Sequence, residues 1–280
     1  MPDVAFLNGR LMPLSRAKVS VEDRGFQFGD GIYELIRVYR GDPFHLKEHV
    51  RRLGESAEAL QLANPYSEAT WARHILRALK KSGFGDAKVY LQVTRGAAPR
   101  SHWFPDKSRP TAVMTIRKFT PLPGDLRRTG VSVLTVPDIR WGKCNVKSLN
   151  LLPNVLAREE AKRRGAFESL FIREGLVMEG AGSNVFIRVG KTLQTPPAGP
   201  YILSGITREV VLGLAQEVGV EVKERPIREE DLYAAEEVFL TGTTVEILPV
   251  IQVNQKRVGT GRPGEIARLL YARFLVMIGK

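Results

Sequence analysis

The chain has 280 residues, of which 43% are hydrophobic and 26% charged, and a formal net charge of +12. That length predicts two domains, each able to bury a core without a staple, and the usage excludes wholesale disorder. A single cysteine, Cys144, excludes an intrachain disulfide framework and a multi-thiolate zinc site, and it fits a reducing compartment.

In chain order, Ile32 to Tyr39 is rich in apolar and aromatic residues and ends at the turn signal Gly41-Asp42-Pro43. His45 to Leu62 reads as a helix, with Val50, Leu53, Ala57 and Leu60 at helical spacing. Trp71, Ile75, Leu76 and Leu79 repeat that spacing in a second helix ended by Gly83. Val89, Leu91 and Val93 alternate with polar residues as in a half-buried strand, and Thr111 to Ile116 is another strand. Prolines and glycine between Lys118 and Gly124 mark a linker. The expected domains are therefore 1–118 and 125–280, joined by 119–124. Beyond the linker, Val131–Val136, Ser169–Ile172, Val185–Val189 and Val238–Thr241 read as strands. Leu151–Arg164, Thr207–Val218 (stopped by Gly219) and Pro263–Met277 read as helices. The fold class is α/β: an α+β N-terminal domain and an α/β C-terminal one. His45 and His74 read as surface residues, Trp71 as core.

No membrane segment is expected. The longest uncharged stretch, Thr192 to Thr207, holds three prolines and falls short of the about 20 apolar residues a spanning helix needs. Asp3 stands early, no secretory pattern is visible, and a cytoplasmic location is expected. The basic surplus is 28 Arg and 14 Lys. It admits a nucleic-acid reading, but the residues are scattered and no nucleic-acid motif accompanies them. Arginine equally suits an enzyme of anionic substrates, because guanidinium grips carboxylate and phosphate with paired bonds.

Five stretches could carry chemistry. Leu203-Ser-Gly-Ile-Thr-Arg208 runs a glycine loop into a helix, whose first-turn N–H groups at Ile206 and Thr207 suit an anion. Taken alone, an ordinary helix cap is the simpler reading. Thr241-Gly-Thr-Thr244 ends a strand and is either an anion-binding turn or a plain one. Glu179-Gly-Ala-Gly-Ser-Asn184 sets a carboxylate beside glycines that allow close backbone approach. Lys147, in Asn145-Val-Lys-Ser-Leu-Asn150, could act as a nucleophile toward carbonyls, since a lysine among apolar neighbours can lose its proton; taken alone, an ordinary lysine is the simpler reading. Arg100 and His102, two apart on an extended segment, would point the same way and could form a carboxylate trap; taken alone, ordinary surface charge is the simpler reading. Cys144 shows no sign of being a nucleophile, and His49 reads as a residue that orients structure near Arg52.

Together these resemble the fold-type IV aminotransferases that use pyridoxal 5'-phosphate (PLP), most of all those acting on D-amino acids. The resemblance is carried by Glu22-Asp-Arg-Gly-Phe-Gln-Phe-Gly-Asp-Gly-Ile-Tyr-Glu34, Glu48-His-Val-Arg-Arg-Leu53 and Gln92-Val-Thr-Arg-Gly-Ala-Ala-Pro-Arg-Ser-His102. It continues through Asp138-Ile-Arg-Trp141, Lys147-Ser-Leu-Asn-Leu-Leu152, Glu179 to Phe186, Gly205 to Arg208 and Thr241 to Thr244.

The resemblance implies that Lys147 forms the Schiff base with PLP and that Glu179 pairs with the ring nitrogen. It implies that Arg52, Ile206, Thr207 and Thr243 hold the phosphate, that Leu203 packs on the ring, and that Gly205, Ser183 and Asn184 also line the cofactor. Tyr33, Arg100, His102 and Thr244 would bind substrate. Where a serine-rich run is usual after the glutamate, this chain has Ala181, Gly182 and Ser183, and backbone N–H groups are the available substitutes. The implied function is ping-pong transamination between a D-amino acid of the D-alanine or D-glutamate type and a 2-oxo acid. The implied assembly is a homodimer with no nucleic-acid or membrane partner. A branched-chain L-aminotransferase or an (R)-amine transaminase of the same fold is the nearest alternative, and a basic nucleic-acid-binding protein a remote one.

Overall fold

The computed structural model describes residues 3–280. The chain divides into two compact units, the first running to Thr120 and including Val146–Asn150, the second made of Pro121–Asn145 and Leu151–Lys280.

In the first unit the strands are β1 (Val4–Leu7), β2 (Arg10–Pro13), β3 (Gly31–Tyr39), β4 (Asp42–Pro43), β5 (Ala87–Thr94) and β6 (Thr111–Lys118). The helices are α1 (Arg24–Phe28), α2 (Leu46–Ala59) and α3 (Glu68–Ser82). The strands form one sheet in the order β2-β1-β6-β5-β3-β4, antiparallel at every pairing. β5 alternates buried and half-buried residues, as period-2 patterning requires of a sheet covered on one face. Ser67 caps α3 by accepting from the Thr70 N–H, and Gly83 stops it in the left-handed region at φ 67°. Trp71 is wholly buried. His45 and His74 are half-buried rather than surface residues; the His74 ring lies 4.8 Å from that of Phe6.

The second unit contains α4 (Gly124–Thr129), β7 (Val131–Pro137), α5 (Leu152–Arg163), β8 (Glu168–Arg173), β9 (Leu176–Gly180), β10 (Asn184–Val189) and β11 (Thr192–Thr195). It continues with α6 (Ile206–Glu217), β12 (Glu221–Glu224), β13 (Ile227–Arg228), α7 (Glu229–Ala234), β14 (Glu237–Gly242), β15 (Glu246–Val253), β16 (Lys256–Arg257) and α8 (Glu265–Met277). The sheet follows β12-β11-β10-β14-β15-β7-β8-β9-β13, with β16 on β15. Its parallel pairs are β7–β8, joined across α5, β11–β12, joined across α6, and β15–β7.

Four strands separate β10 from β9 along that path, yet Ala181 to Ser183 alone connect them, with the Gly180 N–H donating to the Ser183 carbonyl at 2.7 Å. So short a link forces the sheet to curl round like a barrel. Val185, Ile187, Val238, Leu240, Leu248 and Val250 belong to its buried core, while Phe186 and Phe239 stack at 5.2 Å on the face turned the other way.

Candidate active site

The first unit builds its polar centre from β3 and α2. Glu34 is completely buried in β3, where an unpaired carboxylate would be prohibitive. α2 supplies its partners, because His49 and Arg52 are three apart and share a helix face. Arg52 donates Nε to Oε1 at 2.7 Å and Nη2 to Oε2 at 2.9 Å, and His49 Nδ1 lies 2.7 Å from Oε2. Burial alone would push the Glu34 carboxyl up; the Arg52 charge and the two hydrogen-bonding partners outweigh it and hold the group at about 2. Burial pushes His49 down against the pull of Glu34. A neutral His49 therefore faces the carboxylate with Nδ1–H as donor.

One turn further along α2, Ser56 Oγ accepts the Lys147 N–H at 3.2 Å. The Lys147 carbonyl accepts from the Tyr33 N–H at 2.9 Å, and the Leu149 N–H donates to the Gly31 carbonyl at 2.9 Å. Residues 147–149 thus lengthen the open edge of β3. The Lys147 ammonium stands beside Tyr33, with Nζ 3.5 Å from the hydroxyl and 4.5 Å from the ring centroid. Tyr33 stacks on Tyr90 at 5.9 Å, and burial, with Tyr33 adding to it, pushes the Tyr90 phenol up to about 12.

Arg100 and His102 are exposed. They lie on bends rather than on an extended strand, so strand alternation is not what aligns them. The Phe28 ring does: Arg100 sits 4.4 Å above its centroid and the His102 ring 5.5 Å from it. Tyr33 belongs to the separate group around Lys147.

In the second unit β9 delivers Glu179, buried at 6% exposure. Arg140 Nη1 donates to its Oε1 at 2.5 Å; Asn184 Nδ2 and the Leu203 N–H donate to Oε2, each at 3.1 Å. Arg140 also binds Asp138 through Nε at 2.9 Å and Nη2 at 3.0 Å. Burial works against the Arg140 charge, but the Asp138 bond and the Glu179 charge raise its pKa on balance. Asn184 Nδ2 reaches the Leu203 carbonyl as well, at 2.9 Å.

Gly205 precedes α6, and no side chain caps that helix. A Cβ at Gly205 would stand 2.0 Å from Asn184 Oδ1, so only glycine fits there. The Ile206 and Thr207 N–H groups open the helix, at its positive end. Thr243 and Thr244 are half-buried on the turn between β14 and β15. A Cβ on Gly242 would lie 3.3 Å from the Gly182 carbonyl, so this turn packs against the 181–183 turn.

The 181–183 turn is committed to its own unit. The Ala181 N–H donates to the Ser169 carbonyl at 3.0 Å. The Gly182 N–H and Ser183 Oγ donate to the buried Glu168, both at 2.8 Å. The Ala181 and Gly182 N–H groups are therefore both engaged within this unit.

The Amino-transferase class IV family description matches residues 31–253. The chain belongs to the class IV aminotransferases. It is 41% identical to a D-alanine aminotransferase from Bacillus licheniformis, across 93% of this chain and 92% of that one. It is 39% identical to a D-alanine aminotransferase from Staphylococcus haemolyticus, across 96% and 95%. Among solved structures, the branched-chain amino acid aminotransferase of Escherichia coli superposes with TM-score 0.91 at 27% identity, covering 99% of this chain and 95% of that one. A second branched-chain amino acid aminotransferase, solved with pyridoxamine 5'-phosphate, gives 0.91 at 28%, covering 99% and 94%.

As a class IV aminotransferase the chain is a PLP enzyme, and its residues fit that cofactor. A buried carboxylate fixed by three donors suits a protonated ring nitrogen, and a 12-residue helix with no side-chain cap suits a phosphate. A lysine held through its main chain suits a carbonyl.

Sequence reading assigned no role to Glu34, Ser56, Asp138, Arg140 or Glu168. Glu34 carried a signal, as the one carboxylate in a strand whose only other charged residue is Arg37. So did Asp138 and Arg140, two apart in one of the stretches that carry the resemblance.

Proposed function

We propose that this aminotransferase exchanges the amino group of a D-amino acid, of the D-alanine or D-glutamate type, with a 2-oxo acid such as 2-oxoglutarate or pyruvate, by ping-pong turnover. The higher identity to D-alanine aminotransferases than to the branched-chain enzymes supports that substrate class. Bound PLP supplies an electron sink that accepts the pair left behind when the α-proton departs.

In this reading Lys147 holds the cofactor carbonyl, then moves the proton at the substrate α-carbon as general acid and base. The observation that carries the assignment is how Lys147 is mounted. Its peptide is tied to Ser56 and Tyr33, so its position is fixed while its amine keeps side-chain reach. The Tyr33 hydroxyl at 3.5 Å is the group beside that amine, and it orients the amine. Glu179 keeps the ring nitrogen protonated, with Arg140 and Asn184 holding the carboxylate in place. Ser183 and Asn184 shape the turn beside it, and Leu203 lies against the ring. Arg52, Gly205, Ile206, Thr207 and Thr243 hold the phosphate. Arg100 and His102, with Phe28 as their platform, receive the substrate carboxylate, while Tyr33 beside Lys147 and Thr244 contact the substrate elsewhere.

The protein is read as a cytoplasmic homodimer. The use of a single cysteine, the buried Cys144, fits a reducing compartment. The exposed apolar residues Leu152, Val155 and Leu156 on α5 support a covering second copy. No helix among the described residues is long and apolar enough to cross a membrane.

Ala181 and Gly182 in place of serines favour a second reading, a branched-chain L-aminotransferase. Product analysis separates the two. D-alanine with 2-oxoglutarate yields pyruvate and D-glutamate under the leading reading. Turnover of L-leucine with none of D-alanine overturns it.

A further inference from the structure

We infer that Glu34 is a positioning residue for the phosphate end of the cofactor: it fixes the guanidinium of Arg52, and His49 is its second clamp. The inference rests on the proposed role of Arg52.

Well-packed apolar residues of similar volume often stabilise a fold as well as a buried ion pair does, or better, so stability alone does not account for an ion pair here. What the pair does supply here is orientation. Arginine carries about 2 kcal/mol of rotamer entropy, yet its fork is planar and presents fixed directions once one edge is held. Glu34 takes the Nε and Nη2 edge, with both carboxylate oxygens engaged at 2.7 and 2.9 Å. That fixes the plane of the guanidinium and its rotation within the plane, and with them the direction of Nη1.

His49 stops the carboxylate from turning, because its Nδ1 binds the same Oε2 that receives Nη2. Being neutral, it adds no cation to compete with Arg52 for an anion. Arg52 itself remains 8% exposed while Glu34 is fully buried.

The buried polar stripe of α2 extends the device. His49, Arg52 and Ser56 follow one another at three- and four-residue spacing, beside the apolar stripe of Val50, Leu53 and Ala57. Ser56 binds the Lys147 main chain. One rigid helix thus sets the phosphate arginine and the reactive lysine in a common frame.

Full-length apoprotein prepared from the holoenzyme, titrated with PLP and with phosphate-free pyridoxal, tests this. Wild type should prefer PLP strongly. Glu34→Gln removes the charge and Glu34→Asp keeps it but withdraws the oxygens. Each should weaken PLP about tenfold or more, the worth of one charge-assisted bond, while pyridoxal moves less than about twofold. Glu34→Asp decides the matter if Glu34→Gln does not fold, because it preserves the charge balance of the site. Parallel losses for PLP and pyridoxal, or a wild-type preference in Glu34→Asp, overturn the inference. Arg52→Ala tests the reading beneath it: a variant that still prefers PLP as wild type does removes Arg52 from the phosphate site.

Discussion

Replacing Arg140 by lysine tests how Glu179 is held. The guanidinium joins two buried carboxylates, with three bonds of 2.5 to 3.0 Å to Glu179 and Asp138 and a fourth at 3.0 Å to the Tyr201 carbonyl. An ammonium keeps the charge but cannot span that fork. Asp138 retains Arg173 at 3.2 Å, and Glu179 retains Asn184 and the Leu203 N–H. About two charge-assisted bonds are lost, so the cost should be roughly 3–5 kcal/mol. At roughly 2–4 °C per kcal/mol for a domain of this size, the melting transition of the second unit should fall by about 10 °C.

Burial opposes ionisation of Asp138, but its bonds to Arg140 carry its pKa below the usual carboxylate value. A depressed carboxyl stabilises above its unfolded pKa, and that stability disappears as pH falls through the folded value. The gap between wild type and Arg140→Lys should accordingly narrow in acid. Differential scanning calorimetry of the holoenzyme at neutral and acid pH measures both effects. A shift under about 2 °C at neutral pH, with an unaltered visible band, would refute the reasoning.

Glu34 falls from the usual 4.5 to about 2 on folding, worth about 3 kcal/mol that is present above pH 4.5 and lost toward pH 2. Buried neutral His49, whose pKa is also lowered, acts in the same direction below its ordinary value, so acid titration followed by circular dichroism should unfold the first unit along this limb, and Glu34→Gln should flatten it. Lys147→Ala should abolish turnover and leave the far-ultraviolet spectrum unchanged; borohydride reduction of the wild type followed by peptide mapping should place the pyridoxyl group on Lys147, and a label on another lysine removes the assignment. Gly205→Ala forces a Cβ to within 2.0 Å of Asn184 Oδ1, so α6 must shift and PLP affinity should fall at least tenfold, about the worth of one phosphate bond; unchanged affinity counts against the helix as phosphate site. Burial pushes the Cys144 thiol up from 9.0 to about 11, so native alkylation at pH 8 should run about 100-fold slower than in denaturant; equal rates contradict the buried assignment.

Strong periodicity made much of the fold legible. β3, β5, α2, α3 and α6 announce themselves by apolar spacing, and Gly83 and Gly219 end their helices at φ 67° and 73°. β1 and β2, which flank Asn8-Gly9, and the short strands β11 to β13 escape a local reading, because their place depends on pairing with other strands rather than on local pattern. The site divides in the same way. Lys147, Glu179 and Arg52 stand in motifs shared with the family. Glu34 and Arg140 gain their meaning only when folding brings partners 18 and 39 residues away into contact. The Lys147 segment has no strand pattern at all; main-chain bonds to β3 give it one.

The central claim is that this chain binds PLP on Lys147 and accepts D-amino acids. The most direct test is the visible absorption spectrum of the purified protein, recorded alone, with D-alanine, and with L-leucine. A yellow band bleached by D-alanine and untouched by L-leucine is the predicted result. Bleaching by L-leucine alone, or no band even after PLP is added, contradicts it.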